Sequence, residues 1–505
     1  MNKIFASAMM AVAMMGCVSE AEACSNFIVG KKASVDGSVM CSYSADDYGM
    51  FQNLCHYPAA KHAKGEMRKI YDWDTNKYHG EIPEAAQTYS VIGNINEWQV
   101  TIAETTYGGR EEMADSTGIM DYGSLIYVAL QRSKTAREAI KVMTTLANTY
   151  GYNSEGETFT ICDPNEAWIM EMMGKGAGSK GAVWVALRIP DDAVCAHANQ
   201  SRIGKFNMKD KKNVMYAKDV VSFARSKGWF QGKDADFSWK MAYAKPDFSG
   251  RRFCDARAWS MLNHFYDMTP YLDWALGKNP DAQDMPLWVV PNKKVSVKDV
   301  ENVMRDHYEG TPLSVADGSD IGGGIWEMPY RPTPLMYKVD GKQYFNERPE
   351  CYNTPGADAL HFSKKNAYWV CNMTSNMVYP RYSLMFPTLK EVRDSLDNSY
   401  FAAQAGVEKK AQELYAQNPQ AAVKYLNDYS VEKAQQMLAR WNQLFEFMVV
   451  KYNDMIIKPT DKNGTFEKTQ YGLGARPARP GYPEKYAKEL VKQSGDKFLV
   501  PESGK

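Results

Sequence analysis

The 505-residue sequence has no surplus of either charge: 60 lysines and arginines stand against 60 aspartates and glutamates, a formal net charge of +0. Without a basic excess there is no electrostatic footprint for nucleic acid or an anionic membrane surface, and a small or neutral partner is expected. No segment approaches the roughly 20 consecutive apolar residues that a membrane-spanning helix needs. The seven histidines form no HExxH or comparable pair, which argues against a catalytic zinc. Gly322-Gly323-Gly324 has no following Lys-Ser/Thr and does not fit GxGxxG, so a nucleotide loop is excluded. Asp317-Gly318-Ser319-Asp320 reads as an acidic turn rather than a calcium loop. The nine cysteines are too sparse for a disulfide scaffold, and none has CxxC spacing. Most read as buried small hydrophobes or an isolated bridge. No internal repeat or low-complexity tract is present.

What the chain does have begins at its start. Lys3, the apolar run over residues 4–15 and Ala21-Glu22-Ala23 have the layout of a signal peptide over residues 1–23. The expected mature protein is exported and soluble, periplasmic or extracellular. Met14-Met15-Gly16-Cys17 loosely resembles a lipobox, which keeps lipid anchoring at Cys17 as the rival outcome.

Strand-type runs follow, over residues 26–29, 39–44 and 99–105. The runs 159–162 and 167–172 flank Asp163-Pro164-Asn165-Glu166, a hairpin turn, and 183–189 with 194–198 form a second candidate pair. Thr135 and Glu138 open a helix that reaches about Tyr150, with Gly151 at its end. From about Leu389 the pattern turns helical, with an amphipathic stretch over 431–452 and a Pro/Gly/Lys-rich tail read as an extended arm. The expected division is 24–388 for a strand-rich hydrolase domain and 389–505 for a helical region with its tail.

Cleavage after Ala23 would make Cys24 the first residue, and such a cysteine carries its own general base. An α-amine with a pKa of roughly 7.7–8.0 can take the thiol proton. The thiolate then attacks an amide carbonyl, and an acyl-enzyme is hydrolysed. The site also requires a carboxylate for the amine and donors for the oxyanion.

Cys24-Ser25-Asn26-Phe27-Ile28-Val29-Gly30, running on to Asp36-Gly37-Ser38, resembles the opening of the cysteine dipeptidases of the N-terminal-nucleophile superfamily. The dipeptidase A enzymes and, more distantly, the secernins belong there. Gly93-Asn94-Ile95-Asn96-Glu97, Glu104-Thr105-Thr106-Tyr107-Gly108-Gly109-Arg110, His197-Ala198-Asn199-Gln200 and Asp306-His307-Tyr308-Glu309-Gly310 resemble further blocks of the same family, in order. The resemblance implies an α+β fold, a four-layer αββα sandwich, and hydrolysis of dipeptides or N-terminal residues of short peptides without cofactor or metal. Short peptides are the implied partners, and a homo-oligomer stays open.

Carried over by position, Cys24 is the nucleophile. Asp46 is the neighbouring carboxylate, with Asp47 as its rival. Asn96 is an oxyanion donor, with Asn94 as the alternative, and Asn199 is a second active-site asparagine. Arg252, beside Arg251, matches a later active-site arginine. Tyr43 stands where this superfamily branch usually has an arginine, and a phenol brings no permanent charge. A free peptide's ammonium needs a receiver, for which Glu97, Glu104 and Asp306 are candidates. Two other functions keep the sequence features: an N-acyl amide hydrolase of the bile salt or penicillin V type, and a non-catalytic lipoprotein anchored at Cys17.

Overall fold

A computed structural model describes residues 24–45, 54–314, 326–329, 336–345, 362–453, 456–481 and 484–500. Asp46, Asp47, the leader with Cys17, the acidic turn 317–320 and the triple glycine at 322–324 lie outside these residues. The chain divides into two compact units, residues 1–306 with 351–356, and residues 307–350 with 357–505.

The first unit is built on two antiparallel sheets. Five strands concern the site: β1 (Ser25–Val29), β2 (Met40–Ser44), β3 (Thr101–Gly108), β4 (Gly156–Cys162) and β5 (Val194–Ala198). The smaller sheet runs Trp288–Val289, β5, β1, β2. The larger has eight strands, in the order Val214–Tyr216, Ala182–Arg188, Ala167–Gly174, β4, β3, Ile95–Asn96, Val91–Ile92, His56–Tyr57. The α+β class expected from the sequence is therefore present.

β1 is buried along its whole length, as a central strand covered on both faces must be. Its alternate residues go different ways. Ile28 enters the core shared with the larger sheet, while Phe27 stacks on Phe265 with ring centroids 5.4 Å apart. The hairpin around residues 163–166 forms as expected, with Cys162 opposite Ala167 and Asp163 Oδ1 capping the Asn165 and Glu166 amides.

The expected pairing of 183–189 with 194–198 does not occur. Ala182–Arg188 belongs to the larger sheet and β5 to the smaller, so Pro190-Asp191-Asp192 carries the chain from one sheet to the other. Gly30 packs against this crossover so tightly that a Cβ would lie 2.5 Å from the Asp191 carbonyl oxygen.

Helices cover the sheets. α1 (Tyr122–Leu130) and α2 (Ala136–Tyr150) pack on the larger sheet, and α3 (Ala256–Asn263) and α4 (Val297–Met304) on the smaller. α2 follows its sequence signals: the Thr135 hydroxyl accepts from the Glu138 amide, and Gly151 ends the helix at φ 82°. Glu138 receives the Lys134 amide instead of closing a full capping box.

The second unit is mainly helical: α5 (Ala367–Val378), α6 (Tyr382–Gln417) and α7 (Pro419–Tyr452). α7 starts where Asn418 caps the Gln420 amide and Pro419 takes the first helical position. Val378, Met385, Leu389, Leu444, Met448 and Tyr452 form its core. The helical series begins ahead of Leu389, and the tail contains a helix over Glu484–Ser494 that its Pro/Gly content hides. Among the described residues no helix is long and apolar enough to cross a membrane.

Candidate active site

Cys24 immediately precedes β1 and is buried. Strand alternation gives it the same side as Asn26 and Ile28. Its Sγ donates a hydrogen bond to Glu104 Oε1 at 3.7 Å. The Tyr43 hydroxyl, from β2, donates to the same oxygen at 2.7 Å. Asn26 Nδ2 donates to the Glu104 carbonyl oxygen at 2.7 Å, which ties the cysteine-bearing strand directly to β3.

Burial raises the Glu104 carboxyl above its ordinary value, against the opposing bonds from Tyr43, Glu157 and Cys24. Glu157, on β4, is the neighbouring carboxyl. Thr106 Oγ1 fixes the far carboxyl, donating to Glu157 Oε1 at 2.6 Å. Burial, with the charge of Glu104 second, pushes the Tyr43 phenol well above its usual range. Tyr43 therefore remains a neutral donor.

The positive charge comes from Arg257, on α3, which is buried. Its Nη1 donates to the Cys24 carbonyl at 2.6 Å and to Ser25 Oγ at 2.8 Å. Its Nε donates to the Phe253 carbonyl at 2.8 Å, and Nη2 to Asn199 Oδ1 at 2.9 Å. Asn199 Nδ2 in turn donates to the Thr106 carbonyl at 2.7 Å. This chain of bonds joins α3, the end of β5, β3 and Cys24.

Of the residues singled out from sequence, Cys24, Tyr43, Glu104 and Asn199 come together. Asp46 lies outside the described residues. Asn96 is placed otherwise: its amide nitrogen donates to the Leu130 and Ser133 carbonyls at 2.7 and 2.8 Å, and its oxygen accepts from the Trp98 and Val100 amides. All its hydrogen-bonding capacity holds a turn, which leaves no donor for an oxyanion. Asn94 is similarly engaged, donating to the Ile102 carbonyl. Glu97 is exposed and receives the Ser90 amide. Asp306 receives Ser260 Oγ at 2.5 Å and faces His264 Nε2 at 3.3 Å. Arg252 is buried in the Gly250–Asp255 segment just before α3, and the guanidinium bonded to the Cys24 carbonyl is that of Arg257, five residues on.

His197 sits between the sheets, bonded to Thr105 Oγ1 at 2.8 Å and Thr160 Oγ1 at 2.7 Å. Burial lowers its pKa to about 3, so it is a neutral structural bridge rather than a base. Among the described residues no group of three or more His, Cys, Asp or Glu is arranged to hold a metal ion.

Residues 52–332 match the peptidase family C69. The chain is 28% identical over 323 residues to a probable dipeptidase of Salmonella dublin, covering 60% of this chain and 70% of that protein. It is 26% identical over 312 residues to a probable dipeptidase of Latilactobacillus sakei, covering 58% and 62%. Dipeptidase A of Lactobacillus helveticus is 26% identical over 310 residues, covering 57% and 62%. The chain thus spans under two thirds of the length of the last two relatives.

Proposed function

Because the chain belongs to peptidase family C69, we propose that it is an exported, metal-independent cysteine peptidase that hydrolyses dipeptides or removes N-terminal residues from short peptides. In this reading the paired sheets and their helices are an αββα N-terminal-nucleophile sandwich, and loss of residues 1–23 frees the amine of Cys24. That amine takes the thiol proton. The sulfur attacks the scissile carbonyl, the departing amine receives the proton, and water releases the acyl group from the sulfur. Arg257 supplies a fixed positive charge beside the nucleophile, and Asn199 has a second amide hydrogen outside the Thr106 bond to offer an oxyanion.

One observation favours a free peptide over an N-acyl amide: the buried carboxyl of Glu104 lies beside Cys24. Negative charge there gives an ammonium a place to bind, whereas a neutral acyl amide has no use for it. The test determines the mature N-terminus of protein exported by its host, then compares native protein with Cys24→Ala on dipeptides and on a glycine-conjugated bile acid. The expected outcome is a chain beginning at Cys24, cleavage of dipeptides only, and background rates for the variant. A mature chain starting at lipid-modified Cys17, or full activity without the Cys24 thiol, overturns the proposal. Cleavage of the bile acid alone replaces the substrate class while keeping the chemistry.

A further inference from the structure

We infer that Cys41 and Cys162 are a disulfide pair that staples the smaller sheet to the larger beneath the nucleophile. The inference starts from strand alternation. On β2, Ser42 points to the helix side, its hydroxyl 2.9 Å from Met304 Sδ of α4. Its neighbours therefore point to the other side. Tyr43 does so, reaching Glu104 on β3, and Cys41, two residues earlier, shares that side. On β4 the face is fixed independently: Thr160 reaches across to His197 of the smaller sheet. Cys162, two residues on, shares the Thr160 face.

The two cysteines thus look at each other across the sheet interface. Cα atoms of β2 and β4 approach within 8 Å, and Cys41 packs against the core cluster that contains Cys162. Each thiol's pKa responds first to the other's side chain. The Cys162 side chain lowers the pKa of Cys41, and Cys41 together with burial raises that of Cys162. Both are free thiols in the structure, and Cys41 is the more accessible, so it is the thiol that begins the exchange.

The oxidant is an external disulfide of the kind an oxidising compartment maintains, and in this respect the inference rests on the export reading. The Cys41 thiolate attacks one sulfur of that disulfide and expels a thiolate, forming a mixed disulfide. The Cys162 thiolate then displaces the second thiol. Two electrons and two protons leave the protein, and one disulfide becomes two thiols. The bond would close a loop of about 120 residues and hold the Tyr43 strand at a fixed distance from the sheet that carries Glu104.

Export and pairing are separable by experiment. Purified, reduced, folded full chain is treated with glutathione disulfide, then denatured, alkylated and digested without reduction. The expected product is a peptide joined through Cys41 and Cys162, a mass loss of two hydrogens, and a midpoint of thermal unfolding higher by roughly 5–10 °C than that of the reduced protein. Neither Cys41→Ser nor Cys162→Ser gains that increment on oxidation. Quantitative alkylation of both cysteines, or stable glutathione adducts without the joined peptide, overturns the pairing whatever the location of the protein. A joined peptide formed in the tube but absent from protein recovered from its host leaves the pairing intact and removes the export premise.

Discussion

The strand-built unit encloses Glu104, Glu157, Glu171, His197, Asp255 and Arg257 almost completely, whereas the hairpin of α6 and α7 encloses Met385, Leu389, Leu444, Met448 and Tyr452. The hairpin carries exposed ion pairs such as Lys424 with Asp428, side chains 75% and 64% exposed. Burying a charged group is costly unless partners receive it. In the first unit partners are supplied for each. Glu171 receives the Arg202 and Ile203 amides, Asp255 receives Trp274 Nε1 at 2.7 Å, and Arg257 donates four bonds, to the Cys24 carbonyl, Ser25 Oγ, Asn199 Oδ1 and the Phe253 carbonyl. These buried charged and titratable groups gather in the unit that carries Cys24, some as structural bridges like His197, whereas among the described residues the hairpin core is apolar.

The largest expected effect that could break this contrast is acid sensitivity of the sheet interface. His197 has a folded pKa of about 3 against 6.5 for an ordinary imidazole. Between those values the unfolded chain binds a proton that the folded chain does not, so stability falls as pH falls. The loss reaches about 2 kcal/mol at pH 5 and roughly 5 kcal/mol at the acid limit. Glu104 and Glu171, held above their ordinary values by burial, act with the opposite sign: the protonated forms favour the fold, and that contribution fades as pH rises. Denaturant titrations at pH 7, 6, 5 and 4 on native protein and His197→Asn isolate the histidine. Identical slopes against pH in both proteins would remove the contrast.

Next in size is Glu104→Gln, which keeps shape and removes charge. Dipeptide kcat/KM is expected to fall about 100-fold, near 2.7 kcal/mol, with circular dichroism unchanged. The native acid limb is expected above the ordinary carboxylate range, following the raised Glu104 carboxyl, and to shift in the variant. Retained activity with an unchanged pH profile would leave this carboxyl a structural group like those elsewhere in the core.

The smallest effect belongs to the hairpin surface. Lys424→Ala removes an exposed i,i+4 pair on α7 and is expected to change stability by no more than about 0.5 kcal/mol and dipeptide turnover not at all. A larger loss, read by thermal unfolding, would show that the hairpin depends on its charges after all.

Much of the site region was legible in the sequence, for identifiable reasons. β1, β2, the turn at Asp163-Pro164-Asn165-Glu166 and α2 follow from alternation, turn residues and caps, all local signals. Tyr43 and Glu104 were reachable through their positions in resembling blocks. Arg257 was not: Ala256-Arg257-Ala258 inside a helix carries no pattern separating a buried guanidinium from a surface one. Its meaning comes from a contact spanning more than two hundred residues. Asn96 misleads for the complementary reason, since a turn-holding amide and an oxyanion donor have the same residue type and neighbours. The strands at Ala182–Arg188 and Val194–Ala198 mislead because a short Pro-Asp-Asp link fits a hairpin as well as a change of sheet.

Mechanically, β1 is a short beam clamped at both ends. At one end Gly30 is wedged under the Pro190 and Asp191 carbonyls, with its amide donating to Ala193. At the other, Asn26 is bolted to the strand of Glu104, and Arg257 grips the Cys24 carbonyl. Five residues of strand separate the clamps, roughly 17 Å of stiff backbone. The backbone that carries Cys24 is thereby held at both ends of the strand. The tolerance to which Cys24 is held is therefore set partly by a residue that has no side chain at all.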